Sequence, residues 1–125
     1  IVDGAFAGNA ALVESEFAKA MAAGTYPGVI IAAAQRHAAQ LHKASLAMDE
    51  GASASAAAES GFPRLHFSRK NAVETALRNF NAARLRQVID QLAIAALDSR
   101  KQAALAAAIA QRALMAIAVN ARRRG

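Results

Sequence analysis

The sequence is poor in several residue types, and each shortage excludes or disfavours a class of structure. It has no cysteine, which excludes disulfide bonds, iron–sulfur clusters and cysteine zinc sites. Aromatic residues make up 5% of the chain and proline occurs only twice, so helices are favoured over strands. The chain also lacks an uncharged apolar run of about 18 residues and a secretion signal at its start. We therefore expect a cytoplasmic protein.

The patterns that phosphate binding and catalysis require are also missing. The seven glycines are scattered, and no Gly-Lys-Ser or Gly-Lys-Thr sequence provides the loop that cradles phosphates in ATPases. His37 and His42 are five residues apart, so they face different sides of a helix and do not form a helical metal pair. His37 falls on an apolar stripe, which indicates a core or interface histidine. We expect no catalytic residue, no cofactor and no metal site in this chain.

Alanine dominates what the sequence does contain. It supplies 37 of the 125 residues and has the highest intrinsic helix propensity. The length suits one domain with one core, so residues 1–125 are expected to form a single helical unit. Because the chain starts at Ile1 rather than at Met, we expect it to be a fragment of a longer subunit.

Apolar residues recur at helical spacing, and capping residues mark several helix ends. Asn9 and Asn81 are typical N-caps, Pro27 suits a first helical turn, and Gly24 and Gly51 are typical helix stops. The pattern predicts an all-α helical bundle of five to seven helices joined by short loops. The predicted helical segments are residues 1–6, 10–23, 27–49, 68–80, 82–99 and 103–121.

Two stretches are less regular. The Ala/Ser-rich segment 52–60 is compatible with a short helix or with a loop. A polar stretch at 98–102 is expected to interrupt the helical structure before the last helix. The apolar side chains of that helix are expected to face inward, and they are Leu105, Ile109, Leu114 and Ile117.

The net charge of +6 is unevenly distributed along the chain. Residues 1–63 carry three basic and six acidic residues, whereas residues 64–125 carry twelve basic and three acidic ones. This asymmetry indicates either an acidic partner, nucleic acid or protein, for the second half or a well-solvated helix surface.

Two basic clusters lie in this second half. Arg69 and Lys70 begin a helix, where the helix dipole disfavours cations. Arg100 and Lys101 lie in the polar stretch before the last helix. The residues Arg64, His66 and Phe67 lie next to the first cluster. This combination of basic and aromatic residues suits phosphate contact with ring stacking, or else a packed Phe67 ring surrounded by solvated cations.

Several short stretches, in the order of the predicted helices, resemble a known family. They are Phe67-Ser68-Arg69-Lys70, Ala76-Leu77-Arg78 and Leu85-Arg86-Gln87-Val88-Ile89, preceded by Ala5-Phe6-Ala7-Gly8-Asn9 and by a long helix carrying Gln35-Arg36. Together they resemble the C-terminal domain of bacterial DNA polymerase III delta subunits, which belong to the clamp loader family. The resemblance spans nearly the whole chain.

The resemblance implies a non-catalytic collar domain. In this family two N-terminal ATPase-like domains, absent from this chain, precede a helical domain. The helical domains of five subunits form a collar that holds the sliding-clamp loader together for DNA replication. The implied partners are the delta-prime and gamma/tau subunits and primer–template DNA in the assembled complex, with the sliding clamp contacted only through other domains.

Four basic residues are the candidate contacts with DNA or with a neighbouring subunit: Arg69, Lys70, Arg100 and Lys101. The alternative function is a free-standing basic helical module that binds nucleic acid, since the second half of the chain is so strongly basic.

Overall fold

A computed structural model of the chain describes residues 1–63 and 67–123. This part of the chain is 84% helical and contains no strand, which confirms the predicted all-α bundle. Its seven α-helices are α1 Val2–Phe6, α2 Ala10–Ala22, α3 Pro27–Asp49, α4 Ala54–Gly61, α5 Phe67–Asn79, α6 Ala82–Lys101 and α7 Ala106–Ala121. A 3-10 turn, Ala103–Leu105, joins α6 to α7.

Local capping interactions begin and end these helices as the sequence predicts. The Oδ1 atoms of Asn9 and Asn81 accept hydrogen bonds from the backbone N–H three residues later, at 3.0 and 2.8 Å. Gly24 and Gly51 follow α2 and α3 with φ angles of +82° and +109°, a left-handed conformation that glycine adopts without a Cβ penalty. These contacts set the lengths of α2 and α3 and the start of α6.

The long helix α3 is the centre of the bundle. It packs most extensively against α6 and also contacts α4, α7, α5 and α1. The helices α1 and α2 pack on α7, which also packs against α6 and α3. The largest fully buried side chains belong to one contiguous core and are Phe6, Val13, Ile31, Leu41, Val73, Leu85, Leu92, Leu114 and Ile117.

The segment 52–60, for which the sequence allows a helix or a loop, is mostly helical. The Oγ atom of Ser53 accepts a hydrogen bond from the backbone N–H of Ala56 at 3.1 Å and caps α4. The helix ends at Gly61, where an added Cβ would lie 3.1 Å from the Cβ atom of Ala44 and 3.2 Å from the carbonyl oxygen of Gln40. Glycine at this position therefore permits the close approach of α4 to α3.

The polar stretch 98–102 is helical for longer than predicted. The helix α6 continues through Lys101, and the chain leaves it at Gln102. The hydroxyl of Ser99 donates to the carbonyl oxygen of Ala96 at 2.9 Å, which satisfies this buried polar group within the helix. Arg100 and Lys101 occupy the last turn, where cations interact favourably with the helix dipole. The predicted end near residue 99 was therefore too early.

Candidate assembly surface and basic residues

The last helix is apolar and yet poorly buried. The stretch Ala103–Ala121 has a mean hydropathy of 1.5 over an 18-residue window, of which 22% is buried inside the protein. Within the described residues it is the one helix whose length and composition alone would allow it to cross a membrane, a test that core helices of soluble proteins also pass. Its outward positions are Ala103, Ala104, Leu105, Ala107, Ala108, Arg112, Ala116 and Val119.

The helix α6 adds apolar side chains beside this outer face. Ile94 and Leu97 of α6 are 61% and 45% exposed, and Val119 on the outer face of α7 is 48% exposed. Between α6 and α7 lies a groove of about 350 Å³, which is lined mainly by aliphatic residues and also by Asp98 and Arg112. We call this area the α6–α7 surface and define it by Ile94, Leu97, Leu105, Ile109, Ala116 and Val119.

The prediction that Leu105 faces the core is wrong, because its side chain is 52% exposed. Leu105 lies in the 3-10 turn before α7, so it does not follow the angular spacing of the α-helix that Leu114 and Ile117 share. Those two side chains are buried as predicted, and Ile109 is partly buried.

Arg69, a predicted contact residue, binds a carboxylate of the same chain. Its Nε and Nη2 atoms donate to the two carboxylate oxygens of Asp3 at 2.7 and 2.9 Å, a bidentate pair that joins α5 to α1. Burial raises the pKa of Asp3, but the Arg69 hydrogen bond and the charges of His37 and Arg69 together hold it below its usual value of 3.8. The cation at the start of α5 thus has an acidic partner inside the chain.

The other predicted contact residues have different surroundings. The Nζ atom of Lys70 lies 3.2 Å from Oε1 of Glu59, which joins α5 to α4. Arg100 and Lys101 are exposed in the last turn of α6, and their side chains have no hydrogen bond or ion pair in the described part of the chain. Outside the described residues are Arg64 and His66, together with the side chain of Phe67.

His37 is buried, as its place on the apolar stripe predicts. Its ring centroid lies 5.2 Å from those of both Phe6 and Phe62, and its Nε2 atom lies 3.5 Å from Oδ1 of Asp3. Burial lowers the pKa of His37 from 6.5 to about 4, an effect that Asp3 opposes and Arg69 reinforces. The imidazole is therefore neutral at pH 7 and serves as part of the core.

Neither a metal-binding group in the described residues nor a match to a known protein indicates the function of this bundle. Residues 1–63 and 67–123 contain no group of three or more His, Cys, Asp or Glu side chains that could hold a metal ion. The chain matches no protein-family model, no curated protein and no solved structure. The surface of the bundle and the resemblance of its sequence are therefore the features that point to a function.

The outer face of α7 is the feature that periodicity missed. The helix is apolar nearly all round, so its hydrophobic pattern does not separate a buried face from an exposed one. The available signal was the run of alanines with a single charge, Arg112, in residues 103–121. A solvated helix would carry more polar residues on its outer side.

Proposed function

We propose that the chain is the non-catalytic collar domain of a DNA polymerase III delta subunit. In this proposal the α6–α7 surface packs against the helical domains of the delta-prime and gamma/tau subunits in a cytoplasmic clamp loader. The observation that carries the proposal is the apolar outer face of α7, which its own bundle leaves unburied. Contiguous exposed apolar patches mark interaction sites because association removes them from water.

The side chains of the α6–α7 surface suit packing against another helix. Small residues on it and beside it, such as Ala116 and the exposed Ala108, let a neighbouring backbone approach closely. Ile94, Leu97 and Leu105 are about half exposed, so burying the remainder of each would contribute roughly 1 kcal/mol. A surface of this kind gains free energy from a partner without needing any reactive group.

Charged residues at the same groove would give the contact a preferred orientation. Asp98 and Arg112 line the groove between α6 and α7. Opposite charges on a partner would speed the association of the two proteins and fix how their helices align, more than they would add to the affinity. The apolar side chains would supply the affinity, and the two charges would supply part of the specificity.

The test is co-elution of the chain with delta-prime and gamma/tau subunits on a size-exclusion column. Ile94→Asp and Leu105→Asp place a charge on the α6–α7 surface and should abolish co-elution while preserving the helical circular dichroism spectrum. Val29→Asp is the matched control, because Val29 is 59% exposed in the first turn of α3, away from this surface. Co-elution that survives both surface substitutions would refute the proposal.

The predicted basic contacts take different roles in this proposal. Arg69 and Lys70 have acidic partners in α1 and α4, so we assign them to holding the helices together. Arg100 and Lys101 are exposed at the end of α6, next to the α6–α7 surface. In the assembled loader this pair is the better placed of the two for contact with DNA phosphates.

A further inference from the structure

Two neighbouring depressions lie where α6 begins and α7 ends. One has a volume of about 560 Å³ and the other about 240 Å³, and both are lined by Phe80, Arg84 and Arg123. Because they share these residues, they form adjacent parts of one concave strip. We call it the arginine furrow and define it by Arg78, Arg84, Gln87, Gln91, Asn120 and Arg123.

The centre of the furrow is a guanidinium that the fold holds in place. Arg84 donates through Nη1 to the carbonyl oxygen of Asn79 at 2.6 Å and through Nη2 to that of Asn120. Its Cζ atom also lies 4.9 Å from the centroid of the Phe80 ring. These contacts tie Arg84 to the last residues of α5 and α7, where carbonyl groups and the helix dipole favour a cation.

Of the three arginines in the furrow, Arg78 pairs with Glu74 of its own helix at 3.9 Å, whereas the charges of the other two are not neutralised in this way. Arg84 is only partly exposed and has no carboxylate partner in the described residues. A guanidinium has five N–H groups, of which Arg84 uses two in the hydrogen bonds to carbonyl oxygens. Arg123 is exposed without a side-chain partner in the same part of the chain. The smaller depression has no acidic residue in its lining, and the larger has only Asp49.

The chemistry of the furrow suits phosphate groups. Arginine forks and side-chain amides donate hydrogen bonds, and phosphate oxygens accept them from several directions. Arg84 and Arg123 approach the smaller depression from α6 and from the end of α7, while Gln87 and Gln91 add amide donors. Two adjoining depressions with shared arginines fit a polymer that repeats its anionic group better than they fit one isolated ion.

We propose that the arginine furrow binds the phosphodiester backbone of a single-stranded nucleic acid. Basic grooves that follow a backbone are the usual means of binding single strands. A flexible strand can bend into a concave strip, whereas a duplex is stiff over this length. This site uses none of the four basic residues that the sequence singled out, and it does not depend on the proposed assembly role.

The test measures binding of the chain to a fluorescent oligothymidylate by anisotropy at several salt concentrations. Arg123→Ala removes one furrow cation, and Gln91→Glu introduces a competing carboxylate. Each should weaken binding about fivefold, and Arg123→Ala should lower the salt slope by about 0.7 if one phosphate contact is lost. Both residues are exposed, so the fold should be retained. We avoid Arg84 because its removal would also uncap α5 and α7.

The matched control is Arg86→Ala, which removes one positive charge from an exposed position of α6 outside the furrow. It should change the affinity by less than about twofold. An equal loss in Arg86→Ala and Arg123→Ala would overturn the proposal, as would the absence of binding by the parent chain at low salt. A duplex that binds as tightly, or a polyglutamate that competes as well as the DNA, would also overturn it.

Discussion

Replacing His37 with glutamine should remove most of the dependence of stability on pH between pH 7 and pH 5. In the folded chain the imidazole lies against Phe6 and Phe62, and burial lowers its pKa to about 4. In the unfolded chain it titrates near its usual value of about 6.5. As the pH falls below about 6.5, the unfolded chain binds a proton that the folded chain does not bind. The free energy of unfolding therefore decreases down to about pH 4.

The size of this effect follows from the two pKa values. With 6.5 in the unfolded chain and about 4 in the folded chain, lowering the pH from 7 to 5 should reduce the free energy of unfolding by about 2 kcal/mol. Asp3 contributes only at lower pH, because its pKa is held below 3.8 and the stability linked to it is lost as the pH falls further. The change in the free energy of unfolding between pH 7 and pH 5 therefore reports on His37 and not on Asp3.

The assay is urea unfolding followed by far-ultraviolet circular dichroism at both pH values. His37→Gln should be less stable at pH 7, because its side chain fills less space beside the two rings. The difference between its stabilities at the two pH values should fall below about 0.5 kcal/mol. His42→Gln, on the same helix, is the matched control and should keep the difference of the parent chain. A full difference of about 2 kcal/mol in His37→Gln would refute the assignment to the buried imidazole.

Further predictions concern the packing and the basic residues. Gly61→Ala should destabilise the fold by about 1 kcal/mol or more because its methyl group would press on α3. Gly28→Ala should be neutral or stabilising, because an added Cβ there would lie within 4 Å of nothing beyond its chain neighbours and the backbone of its own helix. Equal shifts of the two variants in thermal melts would contradict this. Arg69→Ala should lower the free energy of unfolding by about 0.5–1 kcal/mol and leave subunit assembly intact. An assembly defect in a folded variant would count against the assignment of Arg69 to its ion pair with Asp3. Arg100→Ala combined with Lys101→Ala should weaken DNA binding by the assembled loader and reduce the salt dependence of binding by up to about one unit of slope per lost phosphate contact. An unchanged slope would mean that these two side chains contact only solvent.

Much of the fold follows from short-range signals in the sequence. Asn9 and Asn81 accept hydrogen bonds from residues three positions away, and Gly24 relieves a strained conformation at its own position. Such interactions depend on a few neighbouring residues, so composition and spacing predict them well. The end of α6 was misplaced because the hydroxyl of Ser99 bonds within the helix, which a polar composition alone does not reveal.

The features that matter for function depend on residues far apart in the chain. Arg69 and Asp3 are separated by 66 positions, and their pairing explains a cation at a helix start that otherwise suggests an external partner. Hydrogen bonds to carbonyl groups of α5 and α7 hold Arg84 in place. No local sequence pattern distinguishes Arg84 from the nearby Arg86. Side-chain periodicity likewise does not show that one face of an apolar helix stays outside the core.

Hydrogen–deuterium exchange of the chain with and without the delta-prime and gamma/tau subunits tests the assembly role most directly. The proposal predicts slower exchange in residues 91–101 of α6 and in Ala106–Ala121 when the partner subunits are added, because docking on the α6–α7 surface suppresses local opening of both helices. The first turns of α3, around Val29, should exchange at the same rate in both samples. Unchanged exchange in α6 and α7, or protection confined to other helices, would contradict the proposed collar surface.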